Sequence, residues 1–118
     1  MKVDICERTF AFAVRVVKLC QFLDETPRVG RTLARQLIRS GASIGANVEE
    51  AQAGQSRADF LSKMSIAYKE ARETLYWLKL LAASEVMPME RLSEMMDEAN
   101  ELVAILTSII KSTKAIAQ

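Results

Sequence analysis

The sequence contains no histidine, and this absence removes the commonest general base and the commonest metal ligand from any site. Cysteine is nearly absent too, since Cys6 and Cys20 are the only two and one predicted helix holds both. Their separation along that helix is about 21 Å, which a disulfide bridge cannot span. Free thiols are typical of a reducing compartment, so we expect a cytoplasmic protein.

Long apolar runs are also missing from the sequence. No segment has 18 or more consecutive apolar residues, so we expect no contact with a membrane interior. The N-terminal residues become acidic too early for a signal peptide. Glycine and proline are scarce, at four and two residues, while 50% of the chain is hydrophobic, which excludes a disordered protein. The length of 118 residues predicts one domain over residues 1–118.

The pattern that is present is helical throughout. Apolar residues recur at helical spacing over residues 4–24, 27–53, 57–83 and 87–114. Thr26 and Pro27 are typical of a helix cap and first position, and Ser56 and Pro88 mark two further starts. Short connections favour antiparallel neighbours, so the sequence predicts an all-α, up-down-up-down antiparallel four-helix bundle.

The first helix has a wider apolar arc than one bundle core requires. Either this helix is central, or a second stripe along it contacts another chain. That second stripe consists of Phe10, Ala13, Val14 and Val17. Three phenylalanines are assigned to the core, namely Phe10, Phe12 and Phe22. Trp77 has no obvious core position and is predicted to anchor an interface.

The second helix contains an unusual stretch at residues 37–51, where an apolar seam and a polar seam run side by side. Gly41 and Gly45 lie one turn apart, and each weakens the helix by up to about 1 kcal/mol relative to alanine. Close helix packing is the expected compensation, and we predict that Ala67 and Ala71 of the third helix make it. The polar seam is interpreted as hydrogen-bonded packing in preference to a ligand site. It consists of Ser40, Ser43, Asn47 and Glu50.

Basic residues form a ridge on the second helix, because Arg28, Arg31, Arg35 and Arg39 recur at steps of three and four with no acidic residue among them. The first helix carries Arg8, Arg15 and Lys18 at compatible spacing, so an antiparallel hairpin would merge the two sets. Arginine forks match phosphate oxygens, and displaced counterions favour such binding. The sequence therefore predicts RNA or DNA binding by Arg15, Lys18, Arg28, Arg31, Arg35 and Arg39.

An acidic ridge on the fourth helix supports a different interpretation. It consists of Glu90, Glu94, Asp97, Glu98 and Glu101. The arginines would then pair with these acids on a neighbouring helix or subunit, and the protein would be a purely structural protein–protein interaction module that binds no nucleic acid.

Enzyme chemistry has little support in the sequence. No glycine-rich phosphate loop follows a strand, and a di-metal carboxylate bundle needs a Glu-x-x-His pair that a chain without histidine cannot supply. The acidic pairs Glu49–Glu50 and Glu70/Glu73 are better interpreted as exposed or hydrogen-bonded helix charges. We therefore predict no enzyme, no catalytic residue, no metal and no cofactor.

Residues 39–51, Asp59–Phe60 and residues 65–81 resemble the bacterial four helix bundle protein family. That family includes proteins encoded in intervening sequences of large-subunit ribosomal RNA genes, and it is related to the accessory variability determinant of diversity-generating retroelements. The pattern Ser-Ile-x-x-Asn-x-x-Glu of the family is matched by Ser43, Ile44, Asn47 and Glu50.

The resemblance implies a four-helix protomer assembled as a ring-like homopentamer. It also implies an accessory role in which the ring binds nucleic acid and a partner protein, such as a reverse transcriptase, through a basic surface. The matched motif is then a structural signature that packs the second helix on the third. This chain differs from the retroelement members in its net charge of only +1.

Overall fold

The chain forms four α-helices that pack as the predicted all-α, up-down-up-down antiparallel four-helix bundle. The computed structural model describes residues 4–25 and 28–117. Helix α1 spans Ile5–Asp24, α2 spans Val29–Gln52, α3 spans Arg57–Ala83 and α4 spans Met89–Ala117. These bounds differ from the predicted ones by a few residues at most. None of the described helices is both long enough and apolar enough to cross a membrane.

Side-chain caps fix two of the helix starts. The Asp4 carboxylate accepts a hydrogen bond of 3.1 Å from the backbone N–H of Glu7 at the start of α1. The predicted cap at Ser56 is confirmed, because its hydroxyl oxygen accepts a 3.0 Å bond from the N–H of Asp59 at the start of α3. The predicted cap at Thr26 and Pro27 lies outside the described residues.

The core runs along the whole length of a bundle that measures 50 × 23 × 21 Å. Helices adjacent in sequence pack closely, whereas α1 and α4 approach each other less closely. All four helices contribute fully buried side chains to this core, among them Phe12 and Val16, Leu37 and Ile44, Met64 and Leu78, and Leu92, Leu102 and Leu106.

The two glycines of α2 permit close packing, but against α1. A Cβ at Gly41 would lie 2.8 Å from both Cγ atoms of Val16, and one at Gly45 would lie 3.3 Å from the carbonyl oxygen of Thr9. The prediction that these glycines face α3 was therefore wrong. Its physical cause is that a helical wheel of α2 gives the small-residue face of the helix but not the neighbour that covers it.

The polar seam of α2 is partly a buried contact with α3. The Thr74 hydroxyl donates a 2.9 Å hydrogen bond to the Ser40 hydroxyl, and both residues are completely buried. Among the described residues, every buried polar side-chain atom has a hydrogen-bond partner. The interpretation of this seam as hydrogen-bonded packing agrees with these contacts.

Candidate nucleic-acid interface

The four arginines of the α2 ridge are all exposed to solvent. Arg31, Arg35 and Arg39 lie on α2 about one helical turn apart, whereas Arg28 precedes the helix as its N-cap, with a φ of 66°. Lys18 and Arg15 of α1 are exposed as well. All six cations predicted to bind nucleic acid are therefore accessible to a polyanion, but some of them already form ion pairs within the protein. The six are Arg15, Lys18, Arg28, Arg31, Arg35 and Arg39.

Two cations of α1 are bound by the acidic ridge of α4. Arg8 Nε lies 3.1 Å from one carboxylate oxygen of Glu98, and its Nη2 lies 3.3 Å from Glu101. The hydrogen bond with Glu98 raises the pKa of the Arg8 guanidinium further above its ordinary value. Arg15 Nη2 lies 3.5 Å from Glu94. Arg8 and Arg15 therefore connect α1 to α4 within one protomer, and they are turned away from the ridge of α2.

Arg39 is bound on the opposite side, between α2 and α3. Its guanidinium lies 3.6 Å from Glu70 and forms a second ion pair with Glu73. The indole N–H of Trp77 donates a 2.9 Å hydrogen bond to the same Glu73 carboxylate. Glu70 and Glu73 are thus charges that bind an arginine, as the sequence indicated, and Trp77 is half-buried at the edge of the core.

The remaining cations are less constrained. Arg31 Nε lies 3.3 Å from the Asp24 carboxylate, but 56% of the Arg31 side chain is exposed, so this ion pair contributes little to stability. Within residues 4–25 and 28–117, Lys18, Arg28 and Arg35 have no carboxylate oxygen within 4.0 Å. The cations that the sequence predicted as one patch therefore fall into two sets, those with a carboxylate partner and those without one.

Arg31 and Arg35 line an open groove of about 230 Å³ between α1 and α2. Asp24 and Gln21 supply the polar part of its opposite wall. The rest of its lining is mainly apolar, and consists of Val17, Cys20, Ala34 and Ile38. The groove can accept a phosphate beside a small apolar group, with the two guanidinium groups as donors.

The apolar lining continues along the outside of α1 and α2 toward the other end of the bundle. A second groove there, of about 320 Å³, is lined by Phe10, Ala13, Ala42 and Ala46 among others. Phe10 is 67% exposed, so its assignment to the core was wrong. The larger side chains of this apolar face are all substantially exposed, and they are Phe10, Val14, Val17 and Ile38.

The other two phenylalanines of α1 differ from each other. Phe12 is buried as predicted, with 1% exposure. Phe22 is 40% exposed, so its core assignment was also wrong, and the guanidinium carbon of Arg91 lies 4.5 Å from its ring centroid. A cation–π contact of this kind shields an aromatic ring at the surface without burying it.

The motif shared with the resembled family has structural contacts only. Ile44 is completely buried. The Asn47 amide donates a 2.8 Å hydrogen bond to the carbonyl oxygen of Ser43, one turn earlier. Glu50 forms a 3.0 Å ion pair with Lys63 of α3. These contacts connect α2 internally and to α3.

The two thiols have no reactive surroundings. Burial raises the pKa of Cys20 to about 11, and its Sγ–H donates a 3.3 Å hydrogen bond to the carbonyl oxygen of Ala34. Burial, together with Glu49 and Asp4, raises the pKa of Cys6 above its ordinary value. A thiol with a raised pKa is a poor nucleophile at neutral pH. In the part of the chain that the structure describes, no three acidic or thiol side chains converge in a way that could hold a metal ion.

The sequence analysis missed a second basic cluster, on α3 and α4. Lys69, Lys111 and Lys114 line one groove between these helices, although they are distant in the sequence. The signal that could have identified the cluster is the absence of any acidic residue after Glu101. Both lysines of α4 follow that point, so every charged residue in the last third of α4 is basic.

Comparison with known proteins shows similarity to one protein family and to solved structures. The model of the 23S rRNA-intervening sequence protein family matches residues 1–108. A crystal structure of a protein with unknown function from the S23 ribosomal protein family of Bacteroides thetaiotaomicron VPI-5482 is 43% identical in sequence, with a TM-score of 0.85. The match covers 92% of this chain and 99% of that one. No curated protein matches the sequence.

Proposed function

This chain belongs to the 23S rRNA-intervening sequence protein family, and we propose that it is a non-enzymatic, cytoplasmic, oligomeric scaffold that binds RNA or DNA. The observation that carries the proposal is the unpaired basic surface at one end of the α1–α2 hairpin. Lys18, Arg28 and Arg35 are exposed there without a carboxylate partner among the described residues, and Arg35 lines the groove together with Arg31. An unpaired arginine or lysine gives up only water and counterions when it meets a phosphate.

The choice of nucleic acid follows from the family. The name of the family refers to 23S rRNA, so RNA is the first polyanion to test. The cationic donors of the groove are two arginines, and most of the remaining lining is apolar, with Gln21 and Asp24 as the other polar side chains. We therefore expect binding through the phosphate backbone, with strong salt dependence and weak sequence preference.

The proposed oligomer rests on the apolar face of α1 and α2. Phe10, Val14, Val17 and Ile38 are 67%, 39%, 38% and 38% exposed, and they adjoin the small residues Ala42 and Ala46. A continuous apolar face of this kind on a folded protein marks an interface. We propose that a second copy of the chain covers the part of this face around Phe10, Val14, Ala42 and Ala46, in the homopentamer that the family resemblance implies, and that Val17 and Ile38, which also line the groove of Arg31 and Arg35, stay at the open rim.

The alternative is a protein–protein interaction module with no nucleic-acid function. The ion pairs of Arg8 and Arg15 with the acids of α4 favour it, because they show that arginines of this chain do serve packing. The same apolar face would then receive a different protein. Nucleic-acid binding is the preferred proposal, since three of the six predicted cations have no such packing role.

Retention of labelled RNA, measured against NaCl concentration, tests the proposal. We expect the logarithm of the binding constant to fall linearly with the logarithm of salt concentration, with a slope of about −0.7 for each single-strand phosphate contacted. Lys18→Glu combined with Arg35→Glu should weaken binding by more than about tenfold near 0.1 M salt. Neither substitution removes an ion pair of the described structure, so the fold is expected to remain intact.

The matched control combines Arg57→Glu with Lys79→Glu, which makes the same change of net charge on exposed positions of α3. It should lower affinity only through long-range repulsion, by a small factor that disappears at high salt. Retention of RNA that does not depend on salt contradicts the proposal, and so does an equal loss of RNA affinity in both double variants.

A further inference from the structure

The groove between α3 and α4 is a concentrated basic site on the opposite face of the bundle from the α1–α2 hairpin. Its volume is about 330 Å³. Lys69 of α3 and Lys111 and Lys114 of α4 line it, and all three are exposed. None of the three has a carboxylate oxygen within 4.0 Å in the described residues. The acid nearest to Lys69 in sequence, Glu70, is engaged by Arg39 on the other side of α3.

A fourth cation is positioned beside the groove by an aromatic ring. Arg72 Nη1 donates a 3.1 Å hydrogen bond to the hydroxyl oxygen of Tyr68, and its guanidinium carbon lies 5.9 Å from the centroid of the same ring. Since the Tyr68 oxygen accepts this bond, its own O–H is available to donate to a ligand. Tyr68 lines the groove, so the ring, the hydroxyl and the guanidinium are presented together.

The lining of the groove combines these charges with neutral groups suited to a nucleotide. Ser65 and Thr107 place hydroxyl groups in the wall, and Ile110 supplies an apolar surface. Lys111 and Lys114 are one helical turn apart, about 5–6 Å between their Cβ atoms, which is close to the spacing of successive phosphates in a single strand. A groove with cations along its rim and an aromatic ring in its wall is typical of single-strand binding sites.

We propose that this α3–α4 groove binds the phosphate backbone of single-stranded nucleic acid, with Lys69, Lys111 and Lys114 on the phosphates and Tyr68 against a base. The inference rests on the proposed function and extends it, because it assigns a second nucleic-acid contact that is separate from the α1–α2 hairpin. Two such surfaces on opposite faces let one protomer hold two segments of a strand.

An acidic protein segment is the competing occupant. Carboxylates would satisfy the lysines and accept from the Tyr68 hydroxyl equally well, but they leave the accessible part of the half-buried Tyr68 ring without a partner. Nucleic acid uses the lysines, the hydroxyl and the ring at once. The two occupants are separated by competition with polyglutamate of the same total charge as the oligonucleotide.

The test measures binding of the full-length protein to a fluorescent 12-nucleotide oligouridylate by anisotropy, over a range of NaCl concentrations. Lys111→Glu combined with Lys114→Glu should reduce the magnitude of the salt slope by about 1.4 and lower affinity about 25-fold at 0.1 M salt, as expected when two single-strand phosphate contacts are lost. The control is again Arg57→Glu with Lys79→Glu, since Lys79 lies about 15 Å along α3 from Lys69.

A second readout locates the contact directly. An oligonucleotide that carries 4-thiouridine should cross-link on irradiation to the peptide that contains Tyr68, and the Lys111→Glu, Lys114→Glu protein should lose this cross-link. Thermal melting of each variant, followed by circular dichroism, establishes that the exposed substitutions leave the bundle folded.

The outcomes distinguish this inference from the proposed function. If the Lys111→Glu, Lys114→Glu protein binds like the wild type while Lys18→Glu, Arg35→Glu weakens binding, the groove inference is overturned and the proposed function stands. If only the groove variant weakens binding, the groove is supported and the role of the α1–α2 hairpin fails. Absence of any binding by the wild type, or equal displacement by polyglutamate, overturns the groove inference in every case.

Discussion

Thr74 Oγ1 lies 2.9 Å from Ser40 Oγ at the centre of the contact between α2 and α3, and neither residue is exposed to solvent. Thr74 Oγ1 is also 2.8 Å from the carbonyl oxygen of Glu70, and Ser40 Oγ is 3.4 Å from that of Leu37. Each hydroxyl has one proton to donate, so two of these three contacts are hydrogen bonds at a time: one joins the two hydroxyls across the helix contact, and one goes to a backbone carbonyl.

Replacement of Thr74 by valine keeps the shape of the side chain and removes the hydroxyl. The Ser40 hydroxyl then retains only its long contact with Leu37, so we expect a loss of about 1–3 kcal/mol in the free energy of unfolding. Denaturant titration measures this loss. In a double-mutant cycle with Ser40→Ala, the two losses should be less than additive, and strictly additive losses would show that the hydroxyls do not interact.

Alanine at Gly41 is predicted to destabilise the protein although alanine favours helix formation. Its Cβ would lie 2.8 Å from both methyl groups of Val16, so α1 and α2 must separate locally. We expect overpacking to lower the free energy of unfolding by about 1–3 kcal/mol. The better helix propensity of alanine should offset up to about 1 kcal/mol of this loss. In a Val16→Ala background the same substitution should cost much less. An equal loss of stability in both backgrounds would show that the contact between residue 41 and Val16 is not its cause.

The buried Cys20 thiol predicts a specific loss of stability at alkaline pH. Burial raises its folded-state pKa to about 11, from an ordinary value of 9.0, so the folded protein holds this proton more tightly than the unfolded chain. The resulting stabilisation is complete below pH 9 and is lost as the pH rises through 11. The melting temperature of the wild type, minus that of Cys20→Ser, should therefore fall between about pH 9 and 11. A constant difference across this range would contradict the assignment.

Glutamate at Phe10 should disrupt assembly and leave the protomer folded. Phe10 is 67% exposed, so its replacement should change the protomer stability by no more than about 0.5 kcal/mol. A charge at the centre of an apolar interface lacks a partner and opposes association. Size-exclusion chromatography with light scattering should show a smaller particle than the wild type. Tyr76→Glu, the same kind of change at a 58% exposed aromatic residue of α3, is the control, and an unchanged mass for Phe10→Glu would show that the face is not the interface.

The sequence predicted the fold closely because each helix carries its own information. Apolar spacing, the Ser56 cap and the short connections are local features, and they determine the number, length and antiparallel order of the helices. The contact partners were predicted less well. Gly41 was assigned to α3 and faces α1, because a periodic pattern gives the face of a helix and does not say which neighbour covers it.

The candidate site shows the same division. The exposure of the α2 ridge followed from its spacing, but the ion pairs that bind Arg15 to Glu94 and Arg39 to Glu70 depend on rotations between helices. The cluster of Lys69 with Lys111 and Lys114 was missed for the same reason, since residues from two helices form one groove only after packing. Phe10 was assigned to the core because an apolar residue in an amphipathic helix has the same pattern whether a core or a second subunit covers it.

The ion pairs between Arg8 and Glu98 connect residues that are 90 positions apart, where the first helix meets the last. In residues 4–25 and 28–117 the other close helix contacts join neighbours in the chain, so most of the bundle is a series of local hairpins, and a fold rich in local contacts is typical of fast folding. The contact between α1 and α4 is the exception, because it joins the two helices that are most distant in sequence, and salt screens its ion pairs. A higher ionic strength should therefore loosen the ends of the chain from each other, and it should weaken the Arg39 and Lys63 ion pairs between α2 and α3 as well.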